Sequence, residues 1–417
     1  MERTLYVYMN EVFVGELAQC FDGSLAFTYS PRFLNQSTSG ISLSLPLQSE
    51  TFEGYAVKAF FSGLLPDDII RKRLARYLGL SENNTFALLE AIGGDCAGGV
   101  SFYPKDQELQ DFSEEDVEVL DKNHLRYLLE RLTRYPLLAD VNNLRFSLAG
   151  AQEKIATGFH NGKVCLIKGG HPTTHILKPP IEDIADSAYN ELFCMRLARK
   201  VGLAAPDATL YFVDDVPCYI VKRYDRILDD TGHVARLHQE DFCQALGILP
   251  EMKYEREGGP DIEQCRHLIS SHSVKPGLDH LYFQERIIFN YLIGNSDAHG
   301  KNYSLLYRGS KPELAPVYDL LSTNVYQNLS NKMAMNIGGC DDPDKISLHH
   351  WYGLVPETRS ARANLEKQLK NLAIKALDHM LDLKQSFIGE GWKSPVIDDI
   401  CSLIEKRASI LREIVPV

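Results

Sequence analysis

Asn295-Ser296-Asp297-Ala298-His299-Gly300-Lys301-Asn302, directly behind the apolar Leu292-Ile293, sets a carboxylate and a carboxamide five positions apart on one polar loop. Such a pair suits chemistry in which the carboxylate takes or orients a hydroxyl proton and the amide oxygen ligates a hard cation. Asn, Ser, Asp, His and Gly are also ordinary turn residues, so the loop needs support from elsewhere in the chain.

Working outward, the next support is Asp319 in Pro316-Val317-Tyr318-Asp319-Leu320-Leu321. Phosphoryl transfer requires a second carboxylate to hold magnesium against the phosphates, shortly downstream of the catalytic loop. Tyr303–Tyr307 reads as a strand between the two acidic groups, although no Phe-Gly follows Asp319 as it does in protein kinases. Upstream, Lys178 closes the β-type His175-Ile176-Leu177-Lys178, where a kinase carries the lysine for the α- and β-phosphates. Glu191, on an amphipathic stretch from Ser187 to Met195, is a candidate ion-pair partner for it, with a surface glutamate as the bland alternative. Leu148-Ala149-Gly150-Ala151-Gln152-Glu153-Lys154 joins small residues to a lysine, as a phosphate-cradling loop requires, but matches neither Gly-x-Gly-x-x-Gly nor the Walker pattern. His299, His349 and His350 lack a His-x-x-x-His helix or a Gly-x-Ser-x-Gly elbow and are read as structural or supporting groups.

Composition bounds the rest. At 417 residues the chain exceeds one ordinary core, so two or three domains are expected. Its formal charge of −12 argues against a protein whose main task is neutralising nucleic-acid phosphates. Nine scattered cysteines without a CxxC pair suggest neither a disulfide framework nor a zinc site and fit a reducing cytoplasm. No signal-peptide-length apolar stretch opens the chain and no run of 18 apolar residues occurs, so neither export nor a membrane span is expected.

The pattern predicts an α+β architecture in three segments. Residues 1–105 form a small β-rich unit: a hairpin from Leu5 to Gly15, a strand at Leu25–Tyr29, a helix stopped by Gly79, and a strand at Val100–Tyr103. Residues 106–236 begin with an acidic, exposed connector, then a helix near His124–Leu132 and strands at 163–167, 175–178, 210–213 and 219–221, as in a nucleotide-binding small lobe. Residues 237–417 are mainly helical, with Leu281–Leu292 and Ile374–Phe387 the clearest helices.

Taken together with Phe61–Asp67, Ile92–Gly99, Ser147–Lys154, Lys222–Arg226 and Leu237–Phe242, the catalytic loop resembles that of the HipA family of serine/threonine kinase toxins, over nearly the whole chain. The resemblance implies a protein-kinase-like bilobal fold with a rearranged small lobe, using ATP and Mg²⁺. It implies Asp297 as catalytic aspartate, Asn302 and Asp319 as magnesium ligands, and Lys178 as nucleotide lysine. It further implies Ala149, Gly150, Ala151, Gln152, Glu153 and Lys154 as phosphate loop, Glu240, Asp241 and Phe242 as adenine hinge, and His299, Lys301 and Tyr318 beside the nucleotide. Ser147 would be the autophosphorylation site that silences the enzyme, because a phosphoserine adds about −1.5 to −2 charge. Family members pair with a small DNA-binding antitoxin, HipB, which would make most of the operator contacts, and the best-understood target is glutamyl-tRNA synthetase. Two other functions share parts of this pattern: a small-molecule phosphotransferase of the aminoglycoside-kinase type, and a non-catalytic corepressor partner of a DNA-binding protein.

Overall fold

The computed structural model describes residues 3–415 apart from 106, 108, 110, 133, 161 and 229–232. Packing divides the chain into two compact units: 1–179, 211–252 and 304–312 in the first, and 180–210, 253–303 and 313–417 in the second.

The first unit opens with a five-stranded antiparallel sheet in the order Phe52–Glu53, Leu25–Tyr29, Val12–Gln19, Arg3–Met9, Val100–Pro104. Alternation decides its faces: Leu5 and Val7 are fully buried while Tyr6 and Tyr8 lie half-buried on the other side. Asn10 makes the hairpin turn at φ 53°, a left-handed conformation that asparagine tolerates. The helix Asp68–Leu78 stops at Gly79, φ 68°, as expected.

A second sheet runs in the order Ala208–Val213, Val216–Lys222, His175–Lys178, Ile155–His160, Lys163–Ile167, Val117–Val119. Two of its strands were not anticipated. Val117–Val119 lies within the acidic run expected to be an exposed connector, and pairs with Cys165–Ile167 because an available sheet edge outweighs its poor local pattern. Ile155–His160 is interrupted by Gly158, where a Cβ would sit 2.9 Å from Cys165 Sγ. One apolar cluster extends from Leu5, Phe27 and Phe61 to Leu166, Leu177 and Ile220, so the first two expected segments share a core.

Past Leu237 the chain is not yet helical. His238–Asp241 is a strand paired antiparallel with Ser304–Tyr307, Glu240 opposite Leu305, and the short helix Phe242–Leu246 follows it.

The second unit is built on helices Ser187–Val201, Ile262–His272, Pro276–Ile293, Arg359–Gly389 and Pro395–Ile414. The third of these contains the predicted Leu281–Leu292 helix. Arg359–Gly389, capped by Thr358, extends well beyond Ile374–Phe387 and buries Leu365, Leu369, Leu372, Ala376, Met380, Leu383 and Phe387 at three- and four-residue steps. Ile374 falls off that stripe and is exposed.

Candidate active site

The apolar helix Pro276–Ile293 delivers the polar loop and Gly294 ends the helix, with φ 73° in the left-handed region. From the helix's last turn Asn290 donates to the Tyr303 hydroxyl at 3.1 Å and accepts from the Asn295 amide at 3.0 Å. Asn295 Oδ1 in turn accepts the Asp297 backbone N–H at 3.1 Å. The Asp297 carbonyl closes the loop, accepting the His299 N–H and the Asn302 side-chain amide, both at 2.8 Å. The Asp297 side chain stands exposed at the tip, one oxygen accepting from the Tyr254 hydroxyl at 2.5 Å. His299, buried, meets Tyr254 edge to face at 5.1 Å, and Lys301 is buried with its carbonyl accepting from the Tyr318 hydroxyl at 2.7 Å.

Asp319 follows Tyr318 with φ 51°, a conformation uncommon for a non-glycine residue and one that clusters at functional sites. Val317 N–H bonds to the Ala204 carbonyl at 2.8 Å on one side of it, and on the other Asn190 holds Ser322 through both its N–H, at 2.8 Å, and its carbonyl, at 3.0 Å. A small, partly open cavity is lined by Asn302 together with Tyr318 and Leu320, the two neighbours of Asp319. The donor set fits magnesium: with its amide nitrogen committed to Asp297, Asn302 has Oδ1 as its acceptor, and Asp319 adds a carboxylate. Both are hard oxygen ligands, and Mg²⁺ fills its other positions from water and phosphate. No cluster of three or more His, Cys, Asp and Glu gathers among the described residues, and a magnesium held in this way does not need one.

In the first unit, Ser147 is fully buried, its hydroxyl donating to the Leu64 carbonyl at 2.8 Å and its N–H to the Asp95 carbonyl at 2.9 Å. The following loop turns at Gly150, φ 109°, and folds back on itself as Lys154 Nζ donates to the Ala149 carbonyl at 2.6 Å. Ala151 is exposed at its tip. Gln152 donates to the Pro179 carbonyl at 3.3 Å, which ties the loop to the residue after Lys178. Glu153 pairs with Arg73 at 2.5 Å; burial pushes its pKa up to about 7 against the pull of Arg73 and Lys154. Lys178 is buried, its ammonium 5.6 Å from the centre of the Tyr219 ring. Glu191, in the second unit, is buried rather than a surface glutamate.

The side chains of the hinge candidates have structural tasks. Asp241 caps the helix Phe242–Leu246 by accepting from Gln244 N–H at 2.8 Å, and Phe242 is fully buried. Glu240 is 1% exposed and accepts from Tyr307, Ser42 and the Leu43 N–H.

The first unit also holds a buried ionic cluster that sequence reasoning did not identify. Asp95 accepts from Arg226 at 2.8 Å, Arg236 at 3.0 Å, Arg223 at 3.2 Å and Thr173 at 2.7 Å. Asp225 accepts from Arg223 at 2.8 Å and the Gly98 N–H at 2.9 Å. Burial raises the pKa of Asp95, but Arg226, Arg223 and Arg236 outweigh it and hold the carboxyl well below the usual range. Asp225 is likewise drawn down to about 2, burial opposed by Arg223 and Arg226. Gly98 is required here: at φ 79° an added Cβ would stand 2.7 Å from the Gln239 carbonyl. Tyr254 and Asn290 were also missed, since Tyr254 lies 43 residues before Asp297 with no motif around it.

Known proteins resemble the chain along most of its length. A family model described as the HipA-like C-terminal domain matches residues 146–380, and one described as the HipA N-terminal domain matches residues 5–103. Y4mE of Sinorhizobium fredii, named as a candidate kinase, is 40% identical over 374 residues, 89% of each chain. The serine/threonine-protein kinase toxin HipA of Shewanella oneidensis is 32% identical over 82% of this chain and 80% of its own. HipA from the S. oneidensis MR-1 complex of HipA, HipB and operator DNA matches with a TM-score of 0.83 at 26% identity, covering 99% of this chain and 100% of that one. With both domain models matched and the α+β, kinase-like architecture shared end to end, the chain belongs to the HipA family of serine/threonine kinase toxins.

Proposed function

We propose that this protein is an ATP- and Mg²⁺-dependent serine/threonine-protein kinase that transfers the γ-phosphoryl group of ATP to a hydroxyl on a protein substrate. The observation that supports the proposal is the loop in which Asn302 bonds back to the Asp297 carbonyl and Tyr318, the neighbour of the left-handed Asp319, bonds to the Lys301 carbonyl, with Asn302 and Tyr318 lining one small cavity. Asp297 takes the proton as the substrate oxygen bonds to phosphorus and the bond to the β-phosphate oxygen breaks. Asn302 and Asp319 would hold magnesium, which would supply neutralisation of the charge on the phosphates. Lys178 holds the α- and β-phosphates, the 149–154 loop cradles them, and the backbone of 240–242 receives the adenine.

Ser147 is the proposed autophosphorylation site, and its burial supports a switching role. A phosphate does not fit where Ser147 Oγ sits 2.8 Å from the Leu64 carbonyl, so modification has to expel the 147–154 loop and disable nucleotide binding. By analogy with its relatives, a HipB-like antitoxin is the proposed partner and an aminoacyl-tRNA synthetase such as glutamyl-tRNA synthetase the proposed substrate.

The test is incubation of purified protein with Mg·ATP, peptide mass spectrometry at Ser147, and Asp297→Asn in parallel. One added phosphate on the wild type and none on the variant is expected; equal labelling of both would overturn the assignment of Asp297.

A further inference from the structure

Glu240 carries a carboxylate with an unusual set of partners. It sits 1% exposed on the strand His238–Asp241, at the segment assigned above to adenine, and three donors from two distant parts of the chain converge on its two oxygens. Ser42 Oγ approaches to 2.5 Å and Leu43 N–H to 3.1 Å from the turn after residue 40, and Tyr307 hydroxyl to 2.5 Å from the paired strand. The same turn is held twice more: the Ile41 carbonyl lies 2.7 Å from His238 Nε2, and Ser44 Oγ donates to the Gln244 carbonyl at 2.8 Å. The turn is therefore clasped at His238, Glu240 and Gln244, one contact on either side of the hinge segment and one within it.

We propose that Ser42 and Tyr307 are positioning residues for the nucleotide, holding the 240–242 backbone in register through the ionised Glu240 carboxylate. This rests on the kinase function proposed above. An ionised carboxylate only accepts, and so satisfies three donors at once. A protonated one turns one oxygen into a donor, so Ser42 or Tyr307 has to turn its hydroxyl round to accept or give up its contact, while the Leu43 N–H can only donate. Burial favours the protonated form and the three donors oppose it, which leaves the group titrating near neutrality, at about 7. The other titratable groups facing it are Tyr29, Tyr307, His238 and Asp241; burial keeps His238 down at about 4 and pushes both tyrosines above their ordinary range. Glu153, in the 149–154 loop, also titrates at about 7, so the shift caused by the two variants, rather than the wild-type midpoint alone, reports Glu240.

The test is the KM for ATP of the full chain from pH 5.5 to 8.5, for wild type, Ser42→Ala and Tyr307→Phe. Wild-type KM should rise several-fold as pH falls through about 7, with kcat changing less. Each variant removes a donor to the ionised form and should move that midpoint upward by roughly one pH unit. A wild type that binds no Mg·ATP at any pH would overturn the kinase assignment itself. Wild-type activity with a pH-independent KM, or with a midpoint that neither variant shifts, would overturn the positioning role alone; Tyr307→Phe preserves the test if Ser42→Ala does not fold.

Discussion

At the scale of single residues, the candidate site joins the exposed Asp297, its carboxylate accepting from Tyr254, to Asp319 in a left-handed backbone conformation, the proposed base and the proposed metal ligand. Asp297→Asn removes the proton acceptor but keeps the loop's backbone bonds, so phosphate transfer should fall by about 10²- to 10⁴-fold with the melting temperature essentially unchanged, checked by radiolabel transfer and calorimetry. Asp319→Asn retains a residue that tolerates φ 51° but loses the charge opposite magnesium, so activity should collapse while stability stays within about 1 kcal/mol. Tyr254→Phe releases one oxygen of Asp297; kcat should drop roughly tenfold with the KM for ATP unaffected, measured by steady-state kinetics. Asp297, Asn302 and Asp319 could be picked out of the sequence as candidates because their spacing is local. Tyr254 was not, because nothing local reveals a hydroxyl that reaches the carboxylate only through the fold.

At the scale of elements, the long helix Arg359–Gly389 owes its stability to one apolar stripe. Leu369→Ala, in its buried seam, should cost about 2–5 kcal/mol by urea denaturation, whereas Ile374→Ala, on its exposed face, should stay within about 0.5 kcal/mol. That stripe could be read in the sequence from Ile374 to Phe387, although the helix begins well before it, at Arg359, and Ile374 itself lies on the exposed face. The strand Val117–Val119 could not, since its sheet pairing comes from Cys165–Ile167 far along the chain. Asp95 belongs to this scale as well, because its arginines join the Gly93–Gly99 loop to Arg223, Arg226 and Arg236. Asp95→Asn strands buried guanidinium charge and should cost about 3–5 kcal/mol. Both aspartates have folded pKa values below their unfolded ones, so the unfolded state binds more protons in acid. Their contribution is complete above about pH 4 and is lost as pH falls toward 2; a urea titration between pH 6 and 2.5 should show it, weakened in Asp95→Asn.

At the scale of the whole molecule, a net charge of −12 argues against this chain neutralising DNA phosphates by itself and agrees with the proposed HipB-like partner making the operator contacts. The chain alone should give no shift of operator DNA at 150 mM salt, and a shift should appear only with a HipB-like protein, in a gel assay. No helix among the described residues is long and apolar enough to cross a membrane. The sequence by itself determined the chemistry on offer and the α+β, kinase-like class, because catalytic spacing, strand alternation and helical stripes are short-range patterns carried by neighbouring residues. The tertiary structure alone decided that the first two expected segments share one core, that Ser147 is buried under Leu64, and that Glu240 serves as an anchor for the turn at Ser42. Each of those depends on groups tens to hundreds of residues apart meeting where water is excluded, and only there do a single hydroxyl or carboxylate acquire the energies that set its role.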